Sequence, residues 1–105
     1  LGSVPLTPFG VPSTKEVPDA IAPYLPDHDA MLLENHGAVT VGADLCTAYY
    51  RMETLELWAK IELNARLLGG EKEISEKNIG RLLELRKSAK VTGRHPGYRH
   101  YRKNK

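Results

Sequence analysis

The sequence predicts an α/β fold that is incomplete on its own. Three observations lead there. Two short apolar runs, Ala30 to Glu34 and Ala38 to Val41, flank a bend at Asn35-His36-Gly37 and read as strands. Just after them, Leu45, Ala48, Tyr49, Met52, Leu55, Ala59 and Leu63 recur at steps of three and four, the spacing of one helical face. No third strand is evident, and two strands do not make an independently stable sheet.

The elements follow in order. Residues 1–12 hold Gly2, Pro5, Pro8, Gly10 and Pro12 and read as an extended connector. Ser13-Thr14-Lys15-Glu16 has the spacing of a capping box and predicts a helix beginning there, or at Pro18, whose ring suits only a first turn. That helix ends near Tyr24, with Pro26 as its stop, and Asp27-His28-Asp29 makes a polar turn. The two strands are apolar rather than alternating, which predicts burial on both faces. Asp44 is a good N-cap for the long helix. Glu53, Glu56, Lys60 and Glu62 line its other side, and Gly69-Gly70 closes it. A helix this long in so small a chain predicts packing on a larger body or on a neighbouring subunit. Ser75 caps a last helix, with Ile79, Leu82, Leu83 and Leu85 facing inward and Lys87 and Lys90 near its negative end. Residues 1–92 form the body, and residues 93–105 form a tail.

Composition narrows the function classes. At 105 residues, 41% hydrophobic and 27% charged, the chain is sized and balanced for one globular domain. No apolar run approaches the roughly 18 residues of a membrane helix, so no membrane partner is expected. The first residues lack the basic region and apolar core of a signal peptide, which makes the cytoplasm the expected location. The lone Cys46 excludes an internal disulfide and is expected to pack as a small residue in the long helix. The net charge of +2 is uneven: Arg94, Arg99, Arg102, Lys103 and Lys105 follow Gly93 with no acid among them, so residues 1–92 carry −3. Arginine, tyrosine and histidine together can bind nucleic acid by charge and stacking. Without a basic body behind it, the tail reads instead as solvated or subunit-docking, and nucleic acid is not an expected partner.

His36 is the leading site candidate. A histidine on a tight strand-to-strand corner has a fixed backbone and an exposed ring, as a metal ligand requires. A zinc site needs three or four ligands. His28 stands a strand's length away at roughly 3.3 Å per residue, and His95 and His100 are on the tail. There is no His-x-His, His-x-x-x-His or Cys-x-x-Cys pair, so a self-contained metal site fails on ligand count. Neither a Gly-x-x-x-x-Gly-Lys loop nor a Gly-x-Gly-x-x-Gly fingerprint is present. Glu53, Glu56 and Glu62 read as a solvated or intersubunit face. Glu34 points to the opposite side from Asn35 and reads as structural.

Val4-Pro5-Leu6-Thr7-Pro8-Phe9-Gly10, Pro12-Ser13-Thr14-Lys15-Glu16, Leu32 to Leu45 across the Asn35-His36-Gly37 corner, Ala48-Tyr49-Tyr50-Arg51-Met52-Glu53-Thr54-Leu55-Glu56 and Ala59-Lys60-Ile61 together resemble the class II aldolase/adducin family. The likeness is nearest to its L-fuculose-phosphate aldolase-type members and extends over roughly residues 1–92, in order and without large gaps. It implies the C-terminal half of an α/β/α sandwich with a mainly antiparallel sheet, in a protein that commonly assembles as a homotetramer. It implies zinc held by three histidines and, at rest, a glutamate that also serves as acid/base, with His36 as the last histidine. The implied reaction is reversible retro-aldol cleavage of a ketose 1-phosphate, of the fuculose 1-phosphate type, to dihydroxyacetone phosphate and an aldehyde.

The departures from the family pattern are informative. The His-x-His pair, the acid/base glutamate and the phosphate site of such enzymes precede the segment seen here. A tyrosine that some members place between Pro5 and Gly10 would fall near Leu6. Tyr98 and Tyr101 are candidates for an aromatic hydroxyl that the family's tail can offer to a neighbouring active site. The expectation is therefore an incomplete half, inactive without its missing N-terminal portion. The alternatives are a sugar-phosphate 4-epimerase or dehydratase of the same family, or a non-catalytic adducin-like interaction module.

Overall fold

A computed structural model describes residues 1–89. The expectations placed on Lys90, His95, Tyr98, His100 and Tyr101, and on the basic tail as a whole, lie outside the described residues. The elements are β1 (Leu6–Thr7), α1 (Glu16–Ile21), β2 (Ala30–Leu33), β3 (Gly37–Thr40), α2 (Leu45–Leu67) and α3 (Glu76–Ser88). The described residues fall into two compact units that divide within α2, one ending at Glu56 and the other beginning at Leu57.

The first unit holds a three-stranded sheet in the order β1-β2-β3. β1 runs parallel to β2, with Leu6 opposite Leu32 and Thr7 opposite Leu33. β2 and β3 are antiparallel, with Met31 opposite Val39 and Leu33 opposite Gly37. The sheet is thus mixed, which corrects the expectation of a mainly antiparallel one. The cause is connectivity. The segment through α1 carries the chain back to the end at which β1 started, so β1 and β2 point the same way, and only the hairpin reverses direction. β1 also corrects the reading of residues 1–12 as a connector alone. It is two residues long, and it is held by the Leu32 amide donating to the Pro5 carbonyl at 2.8 Å and the Glu34 amide donating to the Thr7 carbonyl at 3.3 Å.

α1 begins at Glu16, and Pro18 sits in its first turn, where a missing amide hydrogen costs no helical bond. The expected capping box does not form. Ser13 adopts a left-handed φ of +65°. The Thr14 hydroxyl accepts from the Glu16 amide at 3.1 Å and donates to the Val11 carbonyl at 2.7 Å. The Glu16 carboxylate accepts from the Val11 amide at 2.9 Å instead of reaching back to Ser13.

Burial is concentrated at the start of β2. Ala30 and Met31 are both fully buried, and neighbours in a strand face opposite sides, so both faces are covered at that end. The covering does not extend along the sheet. Leu6, Leu32 and Ala38 lie in register on one face, and all three are exposed. The expectation of burial on both faces therefore holds for Ala30 and Met31 and fails for Leu32 and for the Gly37-Ala38 end of β3.

α2 is tied to the strands by polar contacts within the first unit. The Thr40 hydroxyl donates to the Ala48 carbonyl at 2.8 Å. Arg51 donates to the Val41 carbonyl and forms an ion pair with the buried Asp29 carboxylate at 3.1 Å. Of the apolar stripe read from the sequence, Leu55 is buried and Ala48 and Met52 are half-buried, whereas Leu45, Tyr49, Ala59 and Leu63 are exposed. Leu57, Trp58 and Ile61 are exposed as well, so α2 is apolar around most of its circumference rather than along one stripe. Cys46 is also exposed, contrary to the packing role expected of it.

Asp44 caps α2 as expected, its Oδ1 accepting from the Thr47 amide at 2.7 Å. That bond, with further help from the Thr47 side chain, holds the Asp44 carboxyl below its ordinary value. A lowered native pKa gives stability that is present above the ordinary carboxylate range and lost as the pH falls through the native value. Asn caps nearly as well as Asp but does not titrate. Asp44→Asn is therefore expected to flatten this part of the acid-side stability profile while leaving stability near neutrality almost unchanged. Chemical denaturation at a series of acidic pH values checks it, and an unchanged profile would refute the cap's contribution.

In the second unit α2 ends with the Gly70 amide donating to the Ala65 carbonyl at 2.9 Å. Arg66 pairs with Glu62 at 2.9 Å. Ser75 occupies the N-cap position of α3 without a side-chain cap bond. Ile79 and Leu83 are half-buried, but Leu82 and Leu85 are exposed, so the inward-facing set is half of the four expected. No helix among the described residues is long and apolar enough to cross a membrane.

Candidate functional site

The site is built on the β2–β3 hairpin. Leu33 and Gly37 close the ladder, leaving Glu34, Asn35 and His36 as a three-residue loop. The His36 amide donates to the Leu33 carbonyl at 3.0 Å. This bond requires a sharp reversal, which Asn35 permits by adopting a φ of +52°. Gly37 follows at a φ of +144°. A Cβ there would meet nothing within 4 Å, so glycine is needed for its backbone freedom and not for space. The result is an exposed imidazole on a short, hydrogen-bonded corner, as the sequence predicts.

The neighbouring connector is pinned to that corner. Glu34 Oε2 accepts from the Phe9 amide at 2.9 Å, which confirms its structural role. At Gly10 the chain passes so close to α1 that a Cβ would lie 2.8 Å from the Glu16 carbonyl carbon and the Val17 nitrogen, both backbone atoms that cannot move aside cheaply. Together these contacts bring β1 and the connector beside the hairpin loop. A small cleft forms there, lined in part by Thr7, Pro8, Gly10, Leu33, Glu34 and His36. Thr7 is 1% exposed, and its hydroxyl has no hydrogen-bond partner.

The other candidates do not converge on His36. His28 Nδ1 lies 3.2 Å from the Tyr24 carbonyl, and its ring meets Tyr24 edge-on at 6.0 Å, the setting of a turn residue. Glu53 accepts from the Tyr49 hydroxyl at 3.0 Å, and that bond raises the Tyr49 pKa above its ordinary value. Glu62 is paired with Arg66. Among the described residues, no three His, Cys, Asp or Glu side chains come together as a metal would need. Sequence reasoning missed Thr7, which carries no local signal, and the Asp29–Arg51 pair, whose members lie on different elements.

The family model described as the class II aldolase and adducin N-terminal domain matches residues 1–63. The chain belongs to the class II aldolase and adducin family. Two family relatives from Escherichia coli strains, each named 3-oxo-tetronate 4-phosphate decarboxylase, are 36% identical to it over 86 residues, which is 82% of this chain and 39% of theirs. An L-fuculose phosphate aldolase from Methanocaldococcus jannaschii is 49% identical over 37 residues, 35% of this chain and 20% of its own. The chain thus spans well under half the length of the curated relatives it matches. No solved structure matches it. Within a family of this kind the Asn35-His36-Gly37 corner stands inside the matched segment.

Proposed function

We propose that this chain is the C-terminal portion of a zinc-dependent enzyme that cleaves a carbon–carbon bond in a sugar phosphate. The preferred reaction is reversible retro-aldol cleavage of a ketose 1-phosphate to dihydroxyacetone phosphate and an aldehyde. The observation that carries the reading is the exposed His36 imidazole, fixed on a glycine corner in a segment that matches the family. On this reading His36 is the chain's one contribution to the zinc site, since no three His, Cys, Asp or Glu side chains come together among the described residues. The remaining ligands, the acid/base glutamate and the phosphate contacts belong to polypeptide beyond this segment. When bound, zinc supplies an electrophile that stabilises negative charge beside a carbonyl. What the chain itself contributes is placement: the Leu33 carbonyl, Asn35 and Gly37 hold the imidazole out, and Glu34 holds the connector against it.

The longer match to the two decarboxylases favours a second reading. Loss of carbon dioxide from a 3-oxo acid and retro-aldol cleavage share one demand: each breaks a bond to the carbon next to a carbonyl and leaves an electron pair there. The same placement of His36 serves both. The exposed apolar residues of α2 and the open Leu6-Leu32-Ala38 row support burial against further polypeptide, whether the rest of the domain or a second subunit. They also support the expectation that residues 1–105 are inactive alone.

The test compares the full-length, zinc-loaded protein with the 105-residue chain. L-Fuculose 1-phosphate and a 3-oxo-tetronate 4-phosphate are assayed in parallel, one for aldehyde and the other for carbon dioxide. Turnover of the first by the full-length protein alone is the expected result. Carbon dioxide release instead would select the second reading. Turnover by the isolated chain, or a full-length protein without bound zinc, would overturn the proposal.

A further inference from the structure

The Thr7 hydroxyl is the unexplained polar group of the site. A buried hydroxyl without a partner is destabilising, and such groups are uncommon unless something outside the chain completes them. Thr7 is 1% exposed and is the only buried side-chain polar atom left unpartnered among the described residues. It is not placed at random. The residue lines the cleft that His36 and Glu34 also line. The parallel pairing of Thr7 with Leu33 sets it beside the hairpin loop, and the Glu34 amide bonds to the Thr7 carbonyl at 3.3 Å. The cleft offers about 10 Å³ of space to a water-sized group, which is roughly the room that one oxygen-centred group needs. Its remaining walls, Pro8, Gly10, Val17, Ala20 and Leu33, carry no polar side chain, so Thr7, Glu34 and His36 are the side chains of the cleft that a polar occupant can meet.

We propose that this cleft is a subsite for a single hydroxyl oxygen, with Thr7 Oγ1 as its hydrogen-bonding partner and His36 and Glu34 at its margin. Resting on the reading that His36 faces the ligand, it makes Thr7 a specificity-determining residue for a hydroxylated substrate. The oxygen comes either from a hydroxyl of the sugar phosphate or from an ordered water that the substrate meets. A threonine suits either, since its hydroxyl both donates and accepts.

Thr7→Val in the full-length protein removes the hydroxyl and keeps the shape, and Thr7→Ser keeps the hydroxyl. Calorimetry with dihydroxyacetone phosphate is expected to show about a tenfold loss of affinity for Thr7→Val and near wild-type affinity for Thr7→Ser. The Thr7→Val melting temperature should hold or rise, because a buried unpartnered group is gone. Crystal structures of the wild type without and with the ligand separate the sources. Lost affinity together with an ordered water on Thr7 Oγ1 that persists when the ligand binds assigns the contact to water, and lost affinity without one assigns it to the ligand hydroxyl. Unchanged affinity for Thr7→Val would overturn the proposal, with or without such a water. Failure of the underlying reading is distinguishable, because a wild type that binds neither zinc nor dihydroxyacetone phosphate sinks the enzyme assignment while the ligand-free crystal structure still decides the occupant of the cleft.

Discussion

Replacing His36 with alanine should strip zinc from the full-length protein and leave its fold intact. Changes in the residues that merely support a metal ligand typically weaken metal binding by roughly 10–100-fold, so removing a ligand itself is expected to cost a hundredfold or more. The reason the fold survives is visible in the corner. His36 contributes its backbone amide to the turn, through the bond to the Leu33 carbonyl, and its ring is exposed. The substitution leaves that amide in place and empties no core volume, and such surface changes usually move stability by no more than about 0.5 kcal/mol. Metal analysis after exhaustive dialysis, beside a thermal melt, gives both quantities. Zinc retained at wild-type affinity by the alanine variant would remove His36 from the ligand set, and with it the main support for the enzyme reading.

Arg51→Met should be the most damaging single change outside the corner. Arg51 is the bridge between two elements: its guanidinium pairs with Asp29 just before β2 and donates to the Val41 carbonyl just after β3. Asp29 is 6% exposed. Removing the cation while the carboxylate stays buried is the costly direction for an ion pair, because the buried charge loses the cation that faces it. The expected loss is about 3 kcal/mol in unfolding free energy, read from the urea midpoint. An exposed pair would lose less than about 1 kcal/mol, and a loss that small would show that water screens the contact. The companion variant Asp29→Asn/Arg51→Met should recover part of the deficit, since the buried negative charge is then absent.

The legible parts of this fold were the local ones. α2 could be read because Asp44 caps it and its apolar residues recur at helical spacing, and the hairpin could be read because Asn35 and Gly37 are residues that tolerate positive φ. His36 stood out because it sits between them. β1 was illegible for a physical reason. Pro5 and Pro8 frame a strand of two residues, too short for any alternation to register, and its pairing with β2 is a tertiary event. The mixed sheet follows from that same pairing, whereas the expectation of a mainly antiparallel one came from the family resemblance and not from the strands read in the chain. Leu45, Tyr49 and Leu63 belong to the apolar face read from the spacing yet are exposed, because periodicity reports which residues are apolar, not whether a partner is present to cover them. Thr7 gave no signal at all, since its burial depends on β2 and on the cleft beside the loop.

The parallel union of β1 with β2 also sets an order of events. The hairpin joins residues that are near neighbours along the chain, from Ala30 to Thr40. β1 must find β2 across the whole stretch from Leu6 to Leu32, and such distant contacts form late because a longer loop has to close first. The histidine corner is therefore expected to take shape early, standing nearly alone, and the threonine to arrive afterwards as the last wall of the cleft.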